Sequence, residues 1–181
     1  MEMLLSFMPW FLFWVLLSMR KPEPAALAGF FVTFIVIIVE KFKGRSIKIL
    51  QAGTLFFFLA LAALALFTEL EWFGHWVNLL SNLALTMIVF ISIVIGKPFT
   101  LQYAKEETPE KYWSSPEFIQ INYMISCVWF LAFLVNLTPS VIRALGVKIP
   151  VSSSWAASLI SFAAAAKFTA WYPRPRKKTG V

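Results

Sequence analysis

The chain has no aspartate, one histidine and one cysteine, and only 14% of its 181 residues are charged. Each shortage removes a class of chemistry. With Glu as the only acid and His75 as the only imidazole, paired-carboxylate catalysis and His-rich metal sites are starved of groups. The lone thiol, Cys127, lies inside an apolar run. It can form no intrachain disulfide and is expected to pack as a small hydrophobe. No HExxH, GxSxG, phosphate-cradling glycine loop or CxxC pair occurs. The sequence therefore offers no catalytic residue, and neither a metal nor another cofactor is expected.

Hydrocarbon fills the chain instead: 60% of residues are hydrophobic and the mean hydropathy is +0.76. Soluble domains carry roughly a quarter charged residues. Apolar runs near 20 residues read as membrane-spanning helices, because a bilayer core is about 30 Å thick. Six such runs are expected, at 3–18, 25–39, 49–67, 77–95, 116–137 and 151–170. The fold class is all-α, a polytopic transmembrane helical bundle forming one integral membrane domain over 1–181. The N-terminal run reads as a span, not a signal peptide. Glu2 stands where a basic n-region belongs, and Arg20-Lys21 follow the apolar run. Pro9 either kinks this span or starts it, and Pro22 and Pro24 predict a turn over 20–24. Thr138-Pro139 is expected to end the fifth span, leaving 140–150 as an interfacial turn that closes at Gly146.

A net charge of +7 would suggest nucleic acid in a soluble protein, but here the cations flank apolar spans and no nucleic-acid partner is expected. Twelve of the sixteen Lys and Arg residues fall on the side holding both ends of the chain and the 40–48 and 96–118 loops. That bias predicts both termini in the cytoplasm. The tail WYPRPRKKTGV is expected to fray.

The longest polar stretch, 96–118, holds four of the nine acidic residues. Thr100 to Glu107 is expected to form a short interfacial helix with Phe99 and Tyr103 on its apolar side. Ser115-Pro116-Glu117 reads as a helix start. Lys97, Gln102, Tyr103, Lys105, Lys111 and Trp113 are the candidate lipid- or ligand-binding residues, since lysines among aromatics can hold anionic headgroups. The alternative is a solvated connector whose glutamates offset its lysines.

Asn78, Asn82, Asn122 and Asn136 are the intramembrane polar groups. Either they bond neighbouring helices or they line a solute path. No full charge falls at mid-span depth, which argues against a proton-relay pump. Glu69, Glu71 and His75, in an aromatic stretch with Trp72 and Trp76, form a weak candidate for cation binding or pH sensing. Small residues (Ala52, Gly53, Ala60 and Ala63 in the third span; Ser154, Ala157, Ser158, Ser161 and Ala165 in the sixth) favour close helix approach and self-association, with a homodimer expected. A serine-lined pathway is the functional alternative.

The order of these features resembles the bacterial intracellular septation protein A family. The resemblance rests on Phe7-Met8-Pro9, the basic connector before the third span, the acidic tryptophan-containing connection before the fourth, and Lys97-Pro98 after it. A Glu-, Pro- and Trp-containing loop, Asn122, Trp129 and Asn136 complete it. It is one of layout and covers most of residues 1–140. It implies a bacterial inner (plasma) membrane protein of envelope upkeep, division or lipid homeostasis with no established enzymatic activity, and it supplies no catalytic residues. Three function classes stand: a non-enzymatic lipid-associated protein, a small-solute channel or transporter working as an oligomer, and a lipid-modifying enzyme. The missing motifs and the resemblance favour the first, with membrane lipids as partners.

Overall fold

The computed structural model describes residues 2–19, 21–67 and 70–173. The side chains of Glu2, Leu4, Pro22, Leu66, Leu70, Glu71, Trp72, His75 and Val151 lie outside that description. Among the described residues all regular structure is helical: α1 (Glu2–Leu5), α2 (Met8–Ser18), α3 (Pro22–Phe42), α4 (Ile49–Phe67), α5 (Leu70–Val94), α6 (Phe99–Glu107), a 3-10 turn (Glu110–Tyr112), α7 (Pro116–Ala144) and α8 (Val151–Trp171). Three stretches, Glu23–Phe42, Trp76–Val94 and Pro116–Ala144, are long and apolar enough to cross a membrane. Met8–Ser18 and Ile49–Ala65 are apolar but shorter.

Proline placement accounts for most departures from the expected boundaries. Pro9 lies in the first turn of α2, where a missing N–H costs nothing, so it starts that helix. Pro22 and Pro24 occupy the first turn of α3 for the same reason, and the turn expected over 20–24 gives way to helix from Pro22 onward. Pro139 does not end the fifth apolar run. α7 continues through it to Ala144, because stopping in an apolar setting would strand several backbone groups where one lost N–H strands only one carbonyl. The Thr138 hydroxyl donates to the neighbouring Leu134 carbonyl at 2.8 Å. α5 likewise begins at Leu70, so most of the aromatic connection is helical, and Phe73 is buried.

Glycine closes α3 in a Schellman motif. Gly44 takes φ +72°, its N–H donates to the Lys41 carbonyl and the Arg45 N–H donates to the Glu40 carbonyl. The same pair of bonds recurs around Gly96 at the end of α5. Each motif reverses the chain within two residues, which brings Arg45 back over Glu40 and aims α6 at the bundle.

The short helix α2 turns Pro9, Trp10 and Phe13 inward, while Met8, Phe11 and Val15 stay exposed. It packs on α3. Fully buried Trp10 stacks on Phe57 and meets Phe58, and its indole N–H donates to Thr54 Oγ1 at 2.9 Å. Trp14 stacks on Phe162 of α8. Just before α2, Phe7 stacks on Trp129 of α7. The other helices pack in sequence, α3 on α4, α4 on α5, α5 on α7 and α7 on α8. Two glycines permit the closest approaches. A Cβ at Gly29 would lie 2.6 Å from the Phe58 ring, and one at Gly53 would lie 2.7 Å from Ile88.

Candidate functional site

The α3–α4 connection and α6 meet at one end of the bundle around a desolvated group of charges. Lys48 immediately precedes α4, where Gln51 accepts its backbone N–H at 3.1 Å as a capping-box partner does. Its side chain is only 1% exposed. A buried ammonium needs anions, and Lys48 Nζ has two: Glu40 at 3.0 Å and Glu106 at 2.9 Å. Arg45 closes the square, with Nη1 3.1 Å from Glu40 and Nε 3.9 Å from Glu106. The two carboxylates are 12% and 17% exposed. Formal charges cancel within the group, so the low-dielectric setting strengthens it without leaving a net buried charge.

Tyr103 forms one wall of this clamp. Lys48 Nζ lies 5.0 Å from its ring centroid, in range of a cation–π contact. The residue is 6% exposed; among the described residues its hydroxyl lies buried beside that of Ser6 without a hydrogen bond of ordinary geometry, and Glu106 Oε2 is also buried without a hydrogen bond. Burial pushes the Tyr103 phenol well above its usual range. The charges of Glu106 and Glu40 push the same way, and the nearby Ser6 hydroxyl eases this only in part.

α6 is held on its other sides by single hydrogen bonds. The Phe99 N–H donates to Ser92 Oγ at 3.2 Å. Thr100 Oγ1 donates to the Asn122 carbonyl and stands 2.8 Å from Ser126 Oγ. Gln102 reaches back 53 residues: its Oε1 accepts from the Ile49 N–H at 2.8 Å, and its Nε2 donates to the Lys97 carbonyl at 3.3 Å.

Beneath α6 lies a half-open cavity of about 530 Å³. Its wall on α7 runs from Phe118 through Ile121, Asn122 and Ile125 to Trp129. Ala166, Thr169 and Ala170 of α8 face it, and Thr100, Tyr103 and Ala104 roof it. Trp129 donates its indole N–H to Thr169 Oγ1 at 2.9 Å, which fixes the floor.

The candidate residues thus divide. Gln102 and Tyr103 are built into the clamp. Lys97 is exposed at the other end of α6, while Lys105 lies 5.4 Å over the Trp113 ring and Lys111 4.9 Å over that of Tyr112. Trp113 is itself fixed through a 2.9 Å bond to the Thr108 carbonyl. Of the asparagines, Asn82 donates to Ser140 of α7 at 3.1 Å, and Asn136 to Ser161 of α8 at 3.0 Å. Asn122 donates within α7, to Phe118, and Asn78 is exposed. Arg143 donates to Ser154 at 2.6 Å, so the serine face of α8 is engaged with α7. Ala52, Ala60 and Ala63 are exposed on α4. Glu69 and the tail beyond Pro173 lie outside the described residues, as do the side chains of Glu71, Trp72 and His75. Among the described residues no three His, Cys or Glu side chains gather as metal ligands would.

Sequence reading missed Lys48, Glu40, Arg45 and Glu106 as one unit. The available signal was Lys48 itself, a lysine directly against an apolar helix with Gln51 three residues on. Compared with known family models, characterised proteins and solved structures, the chain finds no match.

Proposed function

We propose that this is a non-enzymatic membrane protein of cell-envelope or lipid homeostasis that holds anionic lipid at the end of the bundle carrying α6. The supporting observation is the way the clamp sorts charge. It draws Glu40 and Glu106 inward onto Lys48 and Arg45. Lys41, Lys43, Lys97 and Lys111 stay exposed at that end, with Lys105 half-exposed. Against them stand the exposed acids Glu107, Glu110 and Glu117. Juxtamembrane lysines are worth about 1 kcal/mol each near an anionic leaflet, and Trp113 and Tyr112 supply headgroup-level aromatics. The charge bias of the sequence assigns this end to the cytoplasm, with six spans and both termini inside. The septation protein A-like layout suits a bacterial inner membrane. The hydrogen bonds of Asn82 and Asn136 support an adhesive role for the intramembrane amides over the lining of a solute path, and the small residues exposed on α4 offer a surface for a homodimer.

The test is native mass spectrometry of the full chain released from nanodiscs containing equal phosphatidylglycerol and phosphatidylcholine. The wild type should retain phosphatidylglycerol preferentially, and changing Lys41, Lys43, Lys97 and Lys105 together to Gln should abolish the preference. Equal retention of both lipids by the wild type would refute the proposal.

A further inference from the structure

The cavity under α6 carries one charge, and that charge is negative. Thr100, Ala104 and Glu107 fall at i, i+4 and i+7 of α6, so they share the helix face that the cavity underlies. Glu107 is the only charged residue among the described residues of the wall, and neither lysine nor arginine lines it. The nearest lysines in sequence are engaged elsewhere, Lys105 over the Trp113 ring and Lys111 over that of Tyr112. Glu107 is exposed, which sets it on the open side of the cavity. It is also the last residue of α6, before the chain becomes extended at Thr108. Its carboxylate therefore adds to the partial negative charge that the end of a helix carries.

The rest of the wall is apolar or already bonded. Phe118, Ile121, Ile125 and Trp129 of α7 face Ala166 and Ala170 of α8. Thr100 is bonded to Asn122 and Ser126, and Thr169 both accepts from Trp129 and donates to the Ala165 carbonyl. The Tyr103 hydroxyl is buried beside Ser6 and the clamp carboxylates and takes no part. Along α7 the wall runs eleven residues, about 16 Å at 1.5 Å per residue. The volume of about 530 Å³ falls within the range of roughly 300–1,000 Å³ usual for small-molecule sites.

We infer that this cavity binds a lipophilic amine, an apolar chain ending in a protonated nitrogen, with the nitrogen on Glu107 and the chain along α7. Such a molecule matches the wall in both respects: hydrocarbon meets hydrocarbon, and its one cation meets the one anion. A phospholipid does not match, because its phosphate would be brought beside Glu107 with no cation in the wall to receive it. Glu107 has an interaction within the protein as well. A carboxylate offers about four lone-pair sites, so it accepts an ammonium beside that contact. The inference is independent of the anionic-lipid surface proposed above, whose lysines lie outside this wall.

The test uses the full chain in mild detergent at pH 7, titrated with dodecylamine and, separately, with dodecanol, its neutral counterpart. Native mass spectrometry reads the molecules retained. One dodecylamine per chain should be held about tenfold more tightly than dodecanol, as expected for one charge-assisted hydrogen bond. Glu107→Gln should abolish that preference by weakening the amine alone, and Glu107→Asp should keep most of it. Ala166→Phe, and Ala104→Phe from the opposite wall, should each reduce amine retention at least about tenfold by filling the slot. Equal retention of amine and alcohol by the wild type, a preference that survives Glu107→Gln, or undiminished retention in both filled variants overturns the site. Dioleoyl phosphatidylethanolamine held as tightly as dodecylamine, and lost in Glu107→Gln, would identify a lipid headgroup and overturn the free amine as occupant. The quadruple Lys→Gln variant should keep the amine preference, which separates failure of this site from failure of the surface reading.

Discussion

Replacing Lys48 by Met removes the cation nearest to both buried carboxylates. Met keeps the volume and the apolar stem, so the change is almost purely electrostatic. Glu40 would keep Arg45 at 3.1 Å, whereas Glu106 would be left with the same guanidinium at 3.9 Å. Removing one partner of a buried ion pair costs about 3–5 kcal/mol. At 17% exposure Glu106 recovers some hydration, which places the expected loss near the lower figure, about 3 kcal/mol. For a chain of this size each kcal/mol moves the melting temperature by about 2–4 °C, so the midpoint should fall by about 6–12 °C. The protein carries its own reporter: Cys127, its only thiol, is partly buried on α7 and labels faster with a thiol-reactive dye as the bundle opens. Glu106→Gln alone should cost only about 1–2 kcal/mol, because Lys48 retains Glu40. Combining the two removes the stranded carboxylate, and the pair should cost less than the sum by about 1–3 kcal/mol. Trypsin should cleave after Lys105 and Lys111 sooner in Lys48→Met, since α6 loses its main tether. A melting shift below about 2 °C for Lys48→Met, or strict additivity in the double variant, would refute the clamp as the anchor of α6.

Three further outcomes follow from the geometry. Gly29→Ala should destabilise by about 1–3 kcal/mol in the same thermal assay, because Phe58 is wedged among Trp10, Phe13 and Phe57 and cannot yield to a Cβ 2.6 Å away. Asn136→Ala should cost about 0.5–2 kcal/mol by losing the bond to Ser161, with no change in solute flux through liposomes; altered flux with an unshifted melt would restore the solute-path reading. Tyr103 gives a pH signature. Because its native phenol ionises well above the ordinary 10.0, the unfolded chain releases a proton that the native chain keeps as pH rises past 10, so stability is full below that pH and falls above it. Tyr103→Phe should show a shallower alkaline loss in parallel melts at pH 9 to 11.

The helices were legible because long apolar runs and end signals are local facts. Ile49–Phe67 matches its expected bounds, and the Ser115 hydroxyl accepts from the Phe118 N–H as the Ser-Pro-Glu start implies. The short helix expected over 100–107 was legible too, down to Phe99 and Tyr103 on its packed side. Pro139 misled, because proline's effect on a helix depends on whether water can serve the freed backbone groups, and a single sequence does not display that environment. The clamp was hidden for a related reason. Glu40 and Lys48 read as ordinary charges flanking spans, and Glu106 as one of several acids in a polar loop. Only the chain reversal at Gly44 and the docking of α6 bring positions 40, 48 and 106 together. The cavity had no local signature, since its walls come from four separate segments.

The inward face of α2 bears on how the protein is made. Trp10 and Phe13 are wholly buried, with partners on α4 and α2 itself, while Phe7 and Trp14 reach α7 and α8. This helix precedes those partners in the chain, so its inward aromatic face is completed only as later helices are made. Its indole waits for Thr54 and its neighbouring Phe7 for Trp129, more than a hundred residues downstream. The packing around Trp14 is therefore complete only once α8, the last helix in the chain, brings Phe162 against it.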